Sequence, residues 1–128
     1  MFEKIEVGSL WNREALSTLW GYESYHALAR GVVTPRNSGI IILFVSEEKP
    51  GDFTQYRDRL DGRRLQWEGE KGHRTDHRIA NSNESEDQIH VFHRELHRAP
   101  FAYLGRARVV KFAHLTSAPS RAEFELID

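Results

Sequence analysis

Gly39-Ile40-Ile41-Ile42-Leu43-Phe44-Val45-Ser46 is apolar at nearly every position. A half-buried strand alternates, so an unbroken run marks a strand covered on both faces. It is either the centre of a layered sheet or a barrel strand lying between a core and a helix. The covering material has to come from the flanks. Upstream, Asn12 is a candidate N-cap for residues 13–20, where Leu16, Leu19 and Trp20 share one helical face before Gly21 stops the helix. Tyr22, Tyr25 or His26, and Ala29 are spaced for a second helix that Gly31 and Pro35 end. Two short N-terminal helices are therefore predicted.

Downstream, the pattern turns to strands. Residues 47–53, containing Pro50-Gly51, read as a loop, and 54–60 as a helical turn. Asp61-Gly62 signals a turn into a strand over 63–67. Residues 80–87 are acidic and rich in Asn and Ser, with nothing to bury, so an exposed loop is expected. Residues 88–95 alternate as a strand with one apolar and one mixed face, and 101–114 form a long strand with Gly105 as its candidate bend. Pro119 opens a last strand with Ala122, Phe124 and Leu126 inward and Arg121, Glu123 and Glu125 outward. The count is about five strands, mostly antiparallel, with two N-terminal helices. This is a small α+β unit over 1–128 whose alternating later strands suit a barrel-like sheet.

Composition narrows the function classes. At 128 residues the chain can bury one core. Net charge is −1 and the pI is about 6.7, so no overall basic field draws the molecule to nucleic acid or membrane, and binding to either must come from local patches. Cysteine is absent, which removes disulfides, thiolate nucleophiles and Cys-based zinc sites and fits a reducing cytoplasm. The first residues lack the order of a signal peptide. The longest apolar run, 40–45, is too short to span a bilayer, so a soluble cytoplasmic protein with no membrane partner is expected.

The run Leu65-Gln66-Trp67-Glu68-Gly69-Glu70-Lys71-Gly72-His73-Arg74-Thr75-Asp76-His77-Arg78-Ile79 breaks alternation after Trp67 and fills with charge. A core does not need such a run; a functional loop does. Glu68, Glu70, His73, Asp76 and His77 look at first like an acid/base or metal cluster. The spacing of His73 with His77, and of His93 with His97, suits zinc on a helix. However, His93 falls in a predicted strand, and Arg74 and Arg94 stand where metallopeptidases carry glutamate. Glu47-Glu48-Lys49 resembles the end of a nuclease motif but lies in a loop with no acidic residue before it on a neighbouring strand. There is no Gly-x-Ser-x-Gly and no phosphate-cradling glycine loop. No catalytic residue, metal or cofactor is assigned, and a binding module rather than an enzyme is expected.

Binding chemistry suits the second half better. Arg57, Arg59, Arg63, Arg64, Lys71, Arg74 and Arg78 interleave with Tyr56 and Trp67, and Arg94 to Lys111 adds five more cations opposed only by Glu95. Arginine forks hold phosphates, and aromatic planes stack on exposed bases. Carboxylates beside Trp67 would repel phosphate, yet they are useful if one accepts a hydrogen bond from an exocyclic amino group of a flipped base.

Six words of the chain, in order, resemble a domain family that recurs in bacterial modification-dependent (type IV) restriction proteins beside helicase, phospholipase-D-type or HNH nuclease modules. They are Arg13-Glu14-Ala15-Leu16 with Trp20-Gly21-Tyr22; Ile42-Leu43-Phe44-Val45 followed by Lys49; Gln55-Tyr56-Arg57-Asp58; Leu65-Gln66-Trp67-Glu68-Gly69-Glu70; Ile89-His90-Val91-Phe92-His93-Arg94; and Pro100-Phe101-Ala102-Tyr103-Leu104-Gly105. The resemblance implies a module similar to the PUA superfamily, with its SRA, EVE and YTH readers. Such a module would flip 5-methylcytosine or a derivative out of double-stranded DNA while a separate nuclease domain or subunit cuts. On this reading Tyr56, Trp67 and Tyr22 stack, Glu68 or Asp76 contacts the base, and Arg57, Arg63, Arg64, Lys71 and Arg74 meet backbone phosphates. A homodimer stays open. The alternatives are a single-stranded DNA or RNA module of the same superfamily and a small metal-dependent hydrolase built on His73, His77 and an acid.

Overall fold

The computed structural model describes residues 1–48, 58–70 and 72–128. The opening run is β3 (Ile40–Ser46), and it is covered on both sides. Ile41, Leu43 and Val45 enter one apolar cluster, while Ile42 and Phe44 enter another. The second cluster lies under the N-terminal segment, where Leu16 of α1 (Arg13–Leu19) and Leu28 of a 3-10 turn (Tyr25–Leu28) are fully buried. Both expected helices are there, one of them as a single 3-10 turn. Asn12 caps α1 by accepting a 2.7 Å hydrogen bond from the Ala15 N–H.

The remaining strands are β1 (Leu10–Trp11), β2 (Val32–Val33), β4 (Arg59–Asp61), β5 (Arg64–Glu68), β6 (Gln88–Arg94), β7 (Phe101–Ala113) and β8 (Arg121–Leu126). Eight strands thus replace the expected five. The additions are short strands of two or three residues, too brief for a periodic signal. Seven lie in the order β2-β3-β6-β7-β8-β5-β4, with β1 paired to β7. Every pairing is antiparallel except β3 with β6. The first cluster takes inward residues from β2 at one end of the path to β5 near the other, so the sheet curls around a single barrel-like core.

Strand β7 serves both layers because it is bulged. Val91 faces Gly105 and Phe92 faces Tyr103, so Leu104 is an extra residue in the ladder. Phe101 and Tyr103 pack on the helix side, whereas Ala107 and Val109 enter the barrel core. Four odd-numbered residues would otherwise share one face. Gly105 makes the bulge possible: its φ is +86°, and a Cβ there would sit 2.6 Å from the Cβ of Asp128. The bend expected at this glycine is therefore a change of face.

Two expectations need correction. Residues 80–87 are largely exposed as expected but are not a loop: α2 (Asp76–Ala80) ends there and α3 (Ser82–Ser85) follows, with Ser82 buried and Ile79 anchoring α2 just before the segment. Ile79 is the single apolar anchor, and one residue gives no helical period to read. Strand β6 has the two faces expected, Ile89 and Val91 in the barrel core and His90 and Phe92 on the helix side, and both are covered. The helical turn expected over 54–60 gives way to strand at Arg59 and Leu60, while 54–57 lie outside the described residues. Among the described residues no helix is long and apolar enough to cross a membrane.

Candidate nucleic-acid interface

Strand β5 delivers Trp67 and Glu68 to the edge of the polar run, and alternation parts them. Trp67 points into the barrel core, 5% exposed, with its ring edge-on to Phe124 at 5.6 Å and 70°. Glu68 points the other way, where its carboxylate lies 3.6 Å from Arg121 and its backbone N–H donates to Asp58 at 2.8 Å. A ring so covered has no open face for a base, so the expected stacking role of Trp67 is recast as that of a wall. Trp67 and Glu68 nonetheless border one cleft, Glu68 standing there in an ion pair with Arg121.

Beyond Glu68 the ladder continues one step, with the Gly69 N–H donating to the Ser120 carbonyl at 2.7 Å. The chain then folds back so that Asp76, at the start of α2 and 4% exposed, returns to Gly69. A Cβ on Gly69 would lie 3.1 Å from Asp76 Oδ1 and 3.3 Å from Cη2 and Cζ3 of Trp67. Glycine is what lets the carboxylate and the indole edge meet there. Asp76 Oδ2 lies 2.8 Å from His73 Nδ1, which in turn lies 3.4 Å from the Ser120 hydroxyl. His73 holds this position in a left-handed conformation, φ +56°, rare for a residue with a Cβ. Asp76 Oδ1 is buried and has no hydrogen-bond partner among the described residues. Leaving such an oxygen unsatisfied costs about 1–3 kcal/mol, so the oxygen calls for a donor.

Two clefts flank this corner. One, of about 420 Å³, is walled by Trp67, Glu68, Lys111, Arg121 and their neighbours at the ends of β5, β7 and β8. The other, of about 330 Å³, lies between β2 and the turn into α2 and is lined by Ala27, Arg30, Val32, Val33, Thr34, Glu70, Arg74 and Thr75. Glu70 crosses it, accepting from the Thr75 hydroxyl at 2.9 Å and standing 3.8 Å from Arg30.

Of the expected site residues, Asp76, Trp67 and Arg74 gather at this corner. Tyr22 does not, since it packs in the N-terminal cluster. Arg63 donates to the carbonyls of Leu126 and Asp128, and Arg64 pairs with Glu123 and Glu125, so both are engaged within the protein. Tyr56, Arg57 and Lys71 lie outside the described residues. Sequence reading missed Gly69, Ser120 and Arg30. Gly69 sat inside a quoted word, but nothing in the sequence marked Ser120 or Arg30 as neighbours of the run. Of the histidine pairs, His73 faces Asp76, and His93 lies 2.6 Å from Glu47. Among the described residues no three acidic or histidine side chains converge as a metal site.

No family model and no curated protein matches the chain. Solved structures do. The SRA domain of SUVH5 in complex with hemimethylated CG DNA superposes with a TM-score of 0.68 at 17% identity, over 97% of this chain and 90% of that one. The same domain with fully methylated CG DNA gives 0.67 at 16% identity, over 99% and 92%. At such identities the likeness establishes architecture: the chain has an α+β fold similar to that of the SRA domain.

Proposed function

We propose that this chain is a reader of a modified base in double-stranded DNA, most simply 5-methylcytosine, which it takes out of the helix and holds at the Asp76 corner. The observation that carries the reading is the buried, partnerless Oδ1 of Asp76 beside Gly69. A cytosine presents an exocyclic amino donor, and a carboxylate fixed by His73 is an acceptor for it. Trp67 walls the site with its ring edge, Thr75 and Glu70 border the adjoining cleft, and Arg74 with Arg30 stands where phosphates would approach. The SRA-like fold supports the reading, since the SUVH5 domains it resembles are held in complexes with methylated CG DNA. On the resemblance of the sequence to domains of modification-dependent restriction proteins, cutting is assigned to a separate nuclease module and the reader to the cytoplasm.

Gel-shift titration of hemimethylated against unmodified duplex tests this. The wild-type chain is expected to prefer the modified duplex, and Asp76→Ala to lose about 10- to 100-fold on it, the worth of one buried charge-assisted hydrogen bond. Equal affinity for both duplexes, unchanged by Asp76→Ala, would sink the proposal.

A further inference from the structure

Far along the chain from Asp76, two guanidinium groups share one aromatic ring. The Arg94 Cζ lies 4.2 Å from the centroid of Phe101; that of Arg13 lies 5.0 Å from the same centroid and 4.6 Å from Phe44. Arg13 Nε donates to the Leu28 carbonyl at 2.6 Å, and Arg94 Nε donates to the Ser46 hydroxyl at 2.6 Å, so both groups are held in place. Among the described residues neither arginine has a carboxylate within ion-pair distance. Burial and the like charge of Arg94 push Arg13 down to about 10. The rings attract each cation but carry no net charge, so the pair keeps its two positive charges. Among the described residues Arg13 Nη1 and Arg94 Nη2 make no hydrogen bond, and both side chains belong to residues that are only partly buried.

Two fixed, mutually repelling guanidinium groups with unused N–H donors offer what an oxyanion binds. We propose that Arg13 and Arg94 form a seat for a phosphate group, used for a phosphodiester of the nucleic-acid backbone. The backbone assignment rests on the modified-base reading above; the seat itself rests on the arginine geometry. A phosphate held there would anchor the duplex at a point remote in sequence from the base site, which a protein without an overall basic field needs.

The test follows arginine Nε–H resonances of the whole chain, assigned with Arg13→Gln and Arg94→Gln, during titration with inorganic phosphate at constant ionic strength and, separately, with a short hemimethylated duplex. Both resonances are expected to move with phosphate and not with chloride, and to move again with the duplex. In parallel, the slope of log K against log salt for the duplex should become shallower by about 0.9 in Arg94→Gln and keep its wild-type value in Arg94→Lys. Movement with inorganic phosphate alone, with the slope unchanged, supports the seat and assigns it to a free phosphate ligand. Resonances unmoved in both titrations overturn it, and because that result is read on the wild-type chain, a variant that fails to fold does not block it. A wild-type chain indifferent to methylation would defeat the base reading while leaving the phosphate titration to decide the seat.

Discussion

The outer face of β5 and β8 and the ring of Phe101 present the same side chain, arginine, in opposite electrostatic settings. On the sheet, register puts Arg64 opposite Glu125 and Glu68 opposite Arg121, and the charges meet across the ladder. Arg108 adds a two-nitrogen contact to Glu125 at 2.8 and 3.0 Å, which holds that carboxyl below its usual range. At Phe101 no acid among the described residues answers Arg13 or Arg94. The difference teaches that a cation's availability is set by what its strand register places opposite it, and a count of arginines along the sequence does not reveal that. The same logic separates Glu68, which is neutralised on the sheet, from Asp76, whose second oxygen is left open.

The largest effect expected is at Trp67, where the comparison between wall and stacking platform can be broken. As a wall, it is part of the barrel core with Phe124, and Trp67→Ala should destabilise the fold by about 3–5 kcal/mol in denaturant unfolding. Trp67→Phe should recover most of that and keep the preference for modified duplex. If Trp67→Ala instead unfolds like the wild type and loses only base preference, the ring works as a platform after all.

Next in size is a pH effect on the helix side of the sheet. His90 is 3% exposed, stacked on Phe2 at 3.7 Å, with Nδ1 2.7 Å from the Tyr103 hydroxyl and Nε2 3.1 Å from Gln88. Burial, reinforced by Arg106, lowers its pKa to about 4 from 6.5, and burial raises that of Tyr103 to about 12. Between those two values for His90 the unfolded chain binds a proton that the folded chain refuses, so stability falls as pH falls from about 6.5 to about 4. The loss should reach the order of 3 kcal/mol at the acid end. Unfolding free energies measured across that window in wild type and His90→Gln check it. A wild-type curve as flat as that of the variant would show that the imidazole is not held neutral.

The fold was legible where period was long enough to read. Residues 40–46, 101–113 and 121–126 declared themselves as strands, and Asn12 as a cap, because apolar spacing and capping chemistry are local. The short β1 and β2 and the helices after Thr75 were not legible, since two to five residues with one buried anchor carry no periodicity. At the candidate site, Asp76 and Arg74 could be picked out because they break a strand pattern. Ser120 and Gly69 come together through the β5–β8 register, and Arg30 reaches Glu70 across a gap of forty residues, so those neighbours existed only in three dimensions. The Glu68–Arg121 contact was hidden for the same reason, because it arises from the β5–β8 register and not from neighbours in sequence.

The smallest expected effect gives the sharpest contrast between spent and available cations. Arg64 and Arg74 are both exposed arginines near the polar run, and the sequence alone treats them alike. Arg64 is shared between Glu123 and Glu125, so Arg64→Gln should cost under about 1 kcal/mol of stability, as exposed pairs do. It should also leave the salt slope of duplex binding where it was. Arg74 has no ion pair among the described residues and lines the cleft beside Thr75. Arg74→Gln should therefore leave stability untouched, weaken modified and unmodified duplex alike, and make the salt slope shallower by about 0.9. Paired titrations at two salt concentrations separate the two arginines. If Arg64→Gln shifts the slope as much as Arg74→Gln, then Arg64 leaves its glutamates when DNA arrives, and the sheet face belongs to the interface.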